Sequence, residues 1–129
     1  MGRFTRIAAA GLLAAGIFSA APHAFASGGG DVVTEGPCSG TSDWKLKLSP
    51  QNGRLEVEFE VDQNVVGDTW RVQMKDNGTV FFRGRAVTKG PSGSFEVRKV
   101  TADQPGTDNV VAQAKNLSTG ETCKGTASI

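Results

Sequence analysis

The strongest constraint on the fold is a pair of alternating segments on either side of Asn52-Gly53. In residues 44–48 apolar side chains alternate with lysines, and in residues 54–61 they alternate with charged residues, mainly glutamates. An Asn-Gly dipeptide between two such segments predicts a hairpin with a two-residue turn. That turn pairs Leu48 with Val57 on one face and sets lysines opposite glutamates on the other. A one-residue shift would bring every lysine opposite an apolar side chain, so the register is well determined.

The same pattern recurs to the end of the chain. Residues 69–75 and 79–87 flank Asp76-Asn77-Gly78, and residues 110–116 and 121–129 flank a four-residue loop. Residues 94–100 also alternate, and an eighth segment lies near residues 31–35. Short alternating segments with turn signals about every ten residues are typical of a sandwich or small barrel. The sequence therefore predicts an all-β fold, an antiparallel immunoglobulin-like β-sandwich of about seven to eight strands.

Two packing relationships follow from these hairpins. With Asp76-Asn77-Gly78 as a three-residue loop, Trp70 is predicted to lie over Gly84, where the missing side chain leaves room for an indole. The inward residues of the last hairpin are all small. We therefore expect a large side chain from elsewhere, Trp44 or Trp70, to pack against it.

The first 26 residues have the pattern of a secretory signal peptide. Two arginines precede an apolar run over residues 7–21, which is followed by the small-residue site Ala24-Phe25-Ala26. The run is shorter than the roughly 20 residues that a membrane-spanning helix needs. We therefore favour secretion, with cleavage after Ala26, over an uncleaved anchor. The mature chain would have a flexible leader over residues 27–36, a sandwich domain over residues 37–129 and no membrane span.

Cys38 and Cys123 are the only cysteines. In an exported protein a single pair predicts a disulfide, and no C-x-x-C motif suggests a redox role. The bridge would close most of the domain into one loop. The chain-entropy model assigns about 4–5 kcal/mol to such a loop.

The missing residue types exclude several kinds of chemistry. Cleavage would remove His23, the only histidine, and the chain has no tyrosine. This excludes Ser-His-Asp and Cys-His catalysis and histidine metal sites, so catalysis would have to rest on carboxylates or lysines. Because a domain of this size also has little room for a deep pocket, we expect no enzyme activity, no metal and no cofactor. Losing the two signal-peptide arginines leaves 12 of the 14 lysines and arginines against 13 acids. A nearly neutral chain gives no support to nucleic-acid binding.

The outward face of the second hairpin carries the predicted ligand site. It consists of Arg71, Lys75, Phe81, Arg83 and Arg85. The predicted register places Arg71 opposite Arg83, an unfavourable like-charge pair that an anionic partner would relieve. Basic residues around an aromatic ring can bind a polyanion, a glycan or an acidic protein. The alternative is an ordinary charged sheet face.

Other polar groups have plainer explanations beside their functional ones. These groups are the glutamates Glu56, Glu58 and Glu60, and the loop residues Asp62, Asn64, Asp68, Asp103 and Asp108. Paired carboxylates can hydrolyse glycosides, but that chemistry needs an apolar pocket, and a solvated face explains the glutamates. Oxygen-rich loops can hold calcium, but turns favour Asp and Asn in any case. Asn77 and Asn116 begin glycosylation sequons, and the hairpin turn already accounts for Asn77.

The C-terminal half resembles a known group of exported proteins. The segments that carry the resemblance are Gly93-Ser94-Phe95-Glu96-Val97-Arg98, Gly106-Thr107-Asp108, Ala112-Gln113-Ala114 and Thr119-Gly120-Glu121-Thr122-Cys123. They are similar to small exported actinobacterial-type proteins of uncharacterised function with an immunoglobulin-like or fibronectin-type-III-like sandwich. The resemblance implies the fold and no functional residues. The chain departs from a true immunoglobulin domain, because Trp44 follows Cys38 by only six positions.

Together these features predict a secreted extracellular binding or interaction module that works at or near the cell envelope. Its expected partner is an extracellular protein or glycan, with no nucleic acid, and the domain is expected to be a monomer. The alternative is a secreted inhibitor of a protease or other hydrolase, with the Gly-Pro loop over residues 89–93 as the inserting segment.

Overall fold

The computed structural model of the chain describes residues 23–27 and 30–129. Most of the predicted signal peptide, residues 1–22, lies outside the described residues. The strands are β1 (His23–Ser27), β2 (Asp31–Pro37), β3 (Asp43–Gln51), β4 (Arg54–Asp62), β5 (Thr69–Asp76), β6 (Thr79–Val87), β7 (Ser94–Ala102), β8 (Asn109–Asn116) and β9 (Thr122–Ser128). Every strand pairing is antiparallel, and the described part of the chain contains no helix.

The strands form two sheets that pack as a sandwich. One sheet has the order β9-β8-β5-β6, and the other has the order β1-β2-β3-β4-β7. The chain changes sheet after β4, after β6 and after β7, so consecutive hairpins bury their apolar faces against each other. The all-β sandwich predicted from the sequence is confirmed, with eight strands in residues 30–129.

The first hairpin has the predicted register. Leu48 pairs with Val57 and Lys47 pairs with Glu58, around a turn in which Asn52 and Gly53 both have positive φ. The alternating residues of β3 and β4 line the core, where Leu46, Leu48, Val57 and Phe59 are fully buried. Burial of one such side chain contributes about 1.5–3 kcal/mol. The regular alternation of the sequence is therefore the main source of the core.

The register of the second hairpin differs from the prediction. Asn77 and Gly78, both with positive φ, form a two-residue turn that pairs Asp76 with Thr79. A bulge between Met74 and Lys75 then shifts the pairing.

Because of the bulge, Trp70 pairs with Ala86 and not with Gly84 as predicted. The space at Gly84 is taken by the ring of Phe82, which a Cβ atom there would meet at 2.6 Å. The tight turn is favoured because its twist matches that of the strands, and one extra residue in β6 then forms the bulge.

The small inward face of the last hairpin is filled by Trp44. A Cβ atom at Gly125 would lie 2.7 Å from the indole, and one at Gly36 would lie 2.9 Å from it. Trp44 thus lies between β2 of one sheet and β9 of the other. Its indole nitrogen donates a hydrogen bond to the carbonyl oxygen of Pro37 at 3.2 Å.

The predicted disulfide is confirmed next to this contact. Cys38 and Cys123 are bonded, which joins the start of the sandwich domain to its last strand across 85 positions. The Glu121 carboxylate accepts hydrogen bonds from the backbone nitrogens of Gly40 and Ser42, both at 2.9 Å, and from the Ser42 hydroxyl at 2.7 Å. The loop after Cys38 is therefore held by both covalent and polar contacts.

The N-terminal region contributes two of the strands in the five-stranded sheet. Asp31–Pro37 form β2 and pair with β3, so the eighth strand expected near residues 31–35 is present, within the segment that the sequence also assigned to a flexible leader. His23–Ser27 form β1 on the outer side of β2, so this strand contains the predicted cleavage point after Ala26. Across the described residues there is no helix long and apolar enough to cross a membrane.

Candidate functional site: a basic sheet face

The outer face of the β9-β8-β5-β6 sheet carries an unusual concentration of positive charge. In β5, β8 and β9 every second residue is buried and most of these inward residues are apolar, as Trp70, Val72 and Met74 are in β5. The side chains between them must point outward because strand residues alternate between the two faces. The cations at these outward positions, which we call the basic face, are Arg71, Lys75, Arg83, Arg85, Lys115 and Lys124.

Strand register brings these cations into adjacent positions. Arg85 pairs with Arg71, which pairs in turn with Lys115 on β8, so three cations lie side by side across three strands. Neighbouring strands are about 4.8 Å apart, and every second residue along a strand is about 7 Å further on. The next row across the sheet consists, in order, of Arg83, Gln73, Gln113 and Lys124, so a cation lies at each end of it.

No acidic side chain neutralises the basic face. None of the 13 aspartates and glutamates occupies an outward position on these four strands. Among residues 30–129, every salt bridge involves Lys45, Lys47 or Arg98 and none involves a cation of the basic face. The like charges opposite one another destabilise the sheet unless something negative lies above it.

The opposite sheet carries an ion-paired face in the same protein. Arg98 on β7 lies 3.3 Å from Glu58, 3.7 Å from Glu96 and 3.9 Å from Glu56, and Lys45 lies 3.8 Å from Glu60. Glu56, Glu58 and Glu60 therefore belong to an ion-paired surface. Burial and the neighbouring Glu58 raise the pKa of Glu96.

Charge is thus divided between the two faces of the sandwich. Six of the 12 lysines and arginines in residues 30–129 lie on the basic face, which leaves six to balance all 13 acids elsewhere. A nearly neutral domain with this division has a strong local field on one side, and such a field attracts and orients anionic partners.

The shape of the basic face suits an extended ligand. A shallow depression of about 380 Å³ lies between Arg71, Gln113, Lys115 and Lys124. Arg85 also lines a second open groove of about 650 Å³, between β6 and β7. In this groove the Lys99 ammonium lies 4.8 Å from the centre of the Phe82 ring, which is within cation–π distance. Glu60 and Glu96 also line this groove, so the uninterrupted positive charge ends at the edge of β6.

The structure keeps four of the five predicted ligand-site residues at the surface and changes the role of the fifth. Arg71, Lys75, Arg83 and Arg85 share the outward face, but Arg71 lies opposite Arg85 and not Arg83, because the bulge shifts the register. Phe81 is half-buried and packs against the core. Its ring is therefore only partly available to a ligand.

Sequence reasoning missed Lys115 and Lys124. Both lie at outward positions of the last hairpin, whose register was predicted correctly. The pairing of β8 with β5, which brings Lys115 beside Arg71, joins segments about 40 residues apart. Alternation alone could have identified the two lysines as outward, but not as neighbours of the second hairpin.

The side chains around Asp68 form a structural hydrogen-bond network. The Asp68 carboxylate accepts hydrogen bonds from Gln63 Nε2 at 2.6 Å and from Asn116 Nδ2 at 3.0 Å. The bonds from Asn116 and Gln63 hold the pKa of Asp68 below its usual range. Gln63 in turn accepts a hydrogen bond from the Trp70 indole at 3.0 Å.

Both sequon asparagines also have structural roles. Asn116 is fully buried, and its Oδ1 accepts hydrogen bonds from the backbone nitrogens of Ser118 and Thr119. Asn77 accepts a hydrogen bond from the backbone nitrogen of Asn109 at 2.9 Å. Over the described residues, no three His, Cys, Asp or Glu side chains are placed to hold a metal ion.

The loop over residues 89–93 is held in place by backbone hydrogen bonds. The Gly93 nitrogen donates to the Lys89 carbonyl at 2.8 Å, and the nitrogens of Gln63 and Asn64 donate to the Gly93 carbonyl at 3.0 and 3.1 Å. Lys89, Gly90, Pro91 and Ser92 remain exposed. The loop is therefore braced at its base and accessible at its tip.

Comparison with known proteins leaves the site to be interpreted from its own geometry. The chain matches no protein-family model, and it has no match among curated proteins.

Proposed function

We propose that the mature domain is a secreted binding module that holds an anionic polymer of the cell envelope against its basic face, without covalent chemistry. The observation that carries this proposal is the set of six cations with no acid among them. Ordinary sheet surfaces mix the two signs, as the opposite face of this protein does. An anion bound across Arg85, Arg71 and Lys115 would remove their mutual repulsion.

The predicted secretion supports this class of ligand. A chain exported from the cell meets the polymers of the envelope, whose repeating phosphate or carboxylate groups complement rows of arginine and lysine. The depression of about 380 Å³ is open, so it suits a chain laid along the surface better than an enclosed small molecule.

Two matched triple variants test the proposal. Arg71→Gln, Arg83→Gln and Arg85→Gln remove three charges from the basic face. Lys45→Gln, Lys47→Gln and Arg98→Gln remove three charges from the opposite, ion-paired face. Each purified domain is titrated with fluorescent polyphosphate and, separately, with envelope fragments from the source cells.

We expect the wild-type domain and the opposite-face variant to bind both probes, and the basic-face variant to lose at least about tenfold in affinity, which corresponds to 1.4 kcal/mol. Binding should weaken linearly in log salt concentration, and more steeply for the wild type than for the basic-face variant. Equal affinities for the two triple variants would refute the basic face as the binding site.

The second candidate, a secreted hydrolase inhibitor, has one observation in its favour. The loop over residues 89–93 is exposed at its tip and braced by hydrogen bonds at its base. An inhibitory loop should resist cleavage after Lys89 when the domain is incubated with a trypsin-like protease, and Lys89→Ala should abolish inhibition. Rapid cleavage at Lys89 without inhibition would eliminate this candidate.

A further inference from the structure

The end of the sandwich formed by the β5–β6 turn contains an aspartate without a hydrogen-bond donor. Asp76, the last residue of β5, is only 4% exposed, and neither of its carboxylate oxygens accepts a hydrogen bond from a donor among the described residues. A charged carboxylate buried without a donor costs several kcal/mol, so such groups are rare in stable folds.

Strand pairing places a second buried aspartate beside the first. Asp76 pairs with Val110, and Asp108 lies two positions before Val110, so the two aspartates are diagonal neighbours on the inward side. Asp108 is only 1% exposed. The backbone nitrogen of Gln104 donates to Asp108 Oδ1 at 3.1 Å, and Asp108 also exchanges backbone hydrogen bonds with Ile129.

All the groups that act electrostatically on Asp76 are acids. In the part of the chain that the structure describes, these are the buried Asp108 and the exposed Asp103. Two facing carboxyl groups form a hydrogen bond only when one of them keeps its proton.

We propose that Asp76 keeps a proton and donates it to the Asp108 carboxylate, and that this shared proton is a pH-sensitive lock on the β5–β6 end of the sandwich. Burial, contact with Asp108 and the charges of Asp108 and Asp103 raise the pKa of Asp76 to about 7. Burial opposes the charge on Asp108, but hydrogen bonds from Asp76, Asp103 and Gln104 outweigh it and lower the pKa of Asp108.

The shared proton would stabilise the β5–β6 turn, which is hydrogen-bonded to the segment before β8. Directly after Asp76, Asn77 donates its backbone hydrogen bond to Asn109 at 2.9 Å and its Nδ2 hydrogen bond to Thr107 at 3.1 Å. Loss of the Asp76 proton would place two negative charges beneath this turn. The repulsion should loosen the turn and residues 102–109 without breaking the sheets.

The folded-state pKa of Asp76 lies above the ordinary aspartate value, so its proton stabilises the folded state. That stabilisation is fully present below the unfolded pKa of about 3.9 and is lost as pH rises through about 7. The lock is therefore closed in acidic surroundings and open in alkaline ones.

The test compares thermal unfolding of the mature domain and three variants at about pH 6 and about pH 8. We expect the wild-type unfolding midpoint to fall by at least about 4 °C across this range. Asp76→Asn supplies a permanent donor to Asp108 and should abolish the fall. Asp108→Asn should also reduce it, whereas Asp62→Asn, at the opposite end of the sandwich, should leave it unchanged.

A second measurement keeps the proposal testable if a variant fails to fold. The carboxyl-carbon NMR signal of Asp76 in the wild-type protein should titrate near the raised pKa, and the Asn77 amide should lose hydrogen-exchange protection above it. A flat unfolding midpoint, or an Asp76 signal that titrates near 4 as an ordinary aspartate does, would overturn the proposal. So would stabilisation by calcium at about pH 8 that a chelator reverses, because a cation would then take the place of the proton.

Discussion

Arg71 on β5 lies directly opposite Arg85 on β6, and no carboxylate among residues 30–129 forms a salt bridge with either guanidinium. The opposite sheet shows that the chain can pair its charges, since Arg98 contacts three glutamates there. The repulsion between the two arginines is therefore a local cost of the basic face, and it is compatible with a role in binding.

Removing one of these arginines should stabilise the free domain. Arg85→Gln should raise the free energy of unfolding by about 0.2–1 kcal/mol, because a like-charge cross-strand pair is removed. Urea denaturation at low salt measures the change. Arg98→Gln is the control and should lower the free energy of unfolding slightly. The interpretation is wrong if both variants are destabilised equally.

The disulfide should contribute a large part of the stability. Replacing Cys38 and Cys123 together by serine should lower the free energy of unfolding by about 2–5 kcal/mol, because the bond closes a loop that spans 85 positions. Denaturant unfolding of the double variant measures the loss. Wild-type protein under reducing conditions should behave in the same way, and an unchanged denaturation midpoint in both samples would contradict the prediction.

The contact of Trp44 with Gly125 should tolerate no side chain. Gly125→Val should destabilise the domain by about 1–3 kcal/mol or more, because even its Cβ atom would approach the indole to 2.7 Å. The neighbouring outward substitution Thr126→Val has the same β-branched product and should be nearly neutral. Thermal unfolding and the Trp44 fluorescence spectrum should both distinguish the two variants, and equal behaviour would show that Trp44 can move aside.

The Asp68 network should control stability in acid. The pKa of Asp68 is lowered by the hydrogen bonds from Asn116 and Gln63, so its contribution is present above the unfolded pKa of about 3.9 and is lost as pH falls through the lower folded value. Asn116→Ala removes one donor and two acceptor contacts and should cost about 1–3 kcal/mol or more at neutral pH.

The same variant should weaken the acid dependence of stability, and unfolding followed from neutral pH to about pH 2 measures it. Lys115→Ala changes the exposed neighbour of Asn116 and serves as the control. If the free energy of unfolding of Asn116→Ala falls as far in acid as that of the wild type, groups other than Asp68 dominate the acid dependence.

Local pattern determined most of the sandwich. The Asn52-Gly53 turn and its flanking alternation predicted every pair of the first hairpin, because a two-residue turn leaves one register in which apolar residues face each other. The last hairpin followed in the same way, with Cys123 opposite Ala114. The disulfide was predictable because only two cysteines exist.

The second hairpin shows where pattern reasoning failed. The sequence did not predict the two-residue turn or the bulge near Phe81. A bulge adds one residue to a strand, and the residues on each side of it still alternate, so the alternation does not reveal its position. The predicted Arg71–Arg83 pair is consequently replaced by Arg71–Arg85. The outward direction of both residues was still correct, because the register differs from the predicted one by an even number of positions.

The sequence by itself determined most of the strands, the charge of each strand face and the disulfide partners, because these depend on spacing within short segments. Only the tertiary structure decided which faces become neighbours. Pairing of β5 with β8 placed Lys115 beside Arg71, and it also placed Asp76 beside Asp108. Such contacts join segments separated by long connections, and the choice among possible sheet orders depends on packing of the whole core and not on any local pattern.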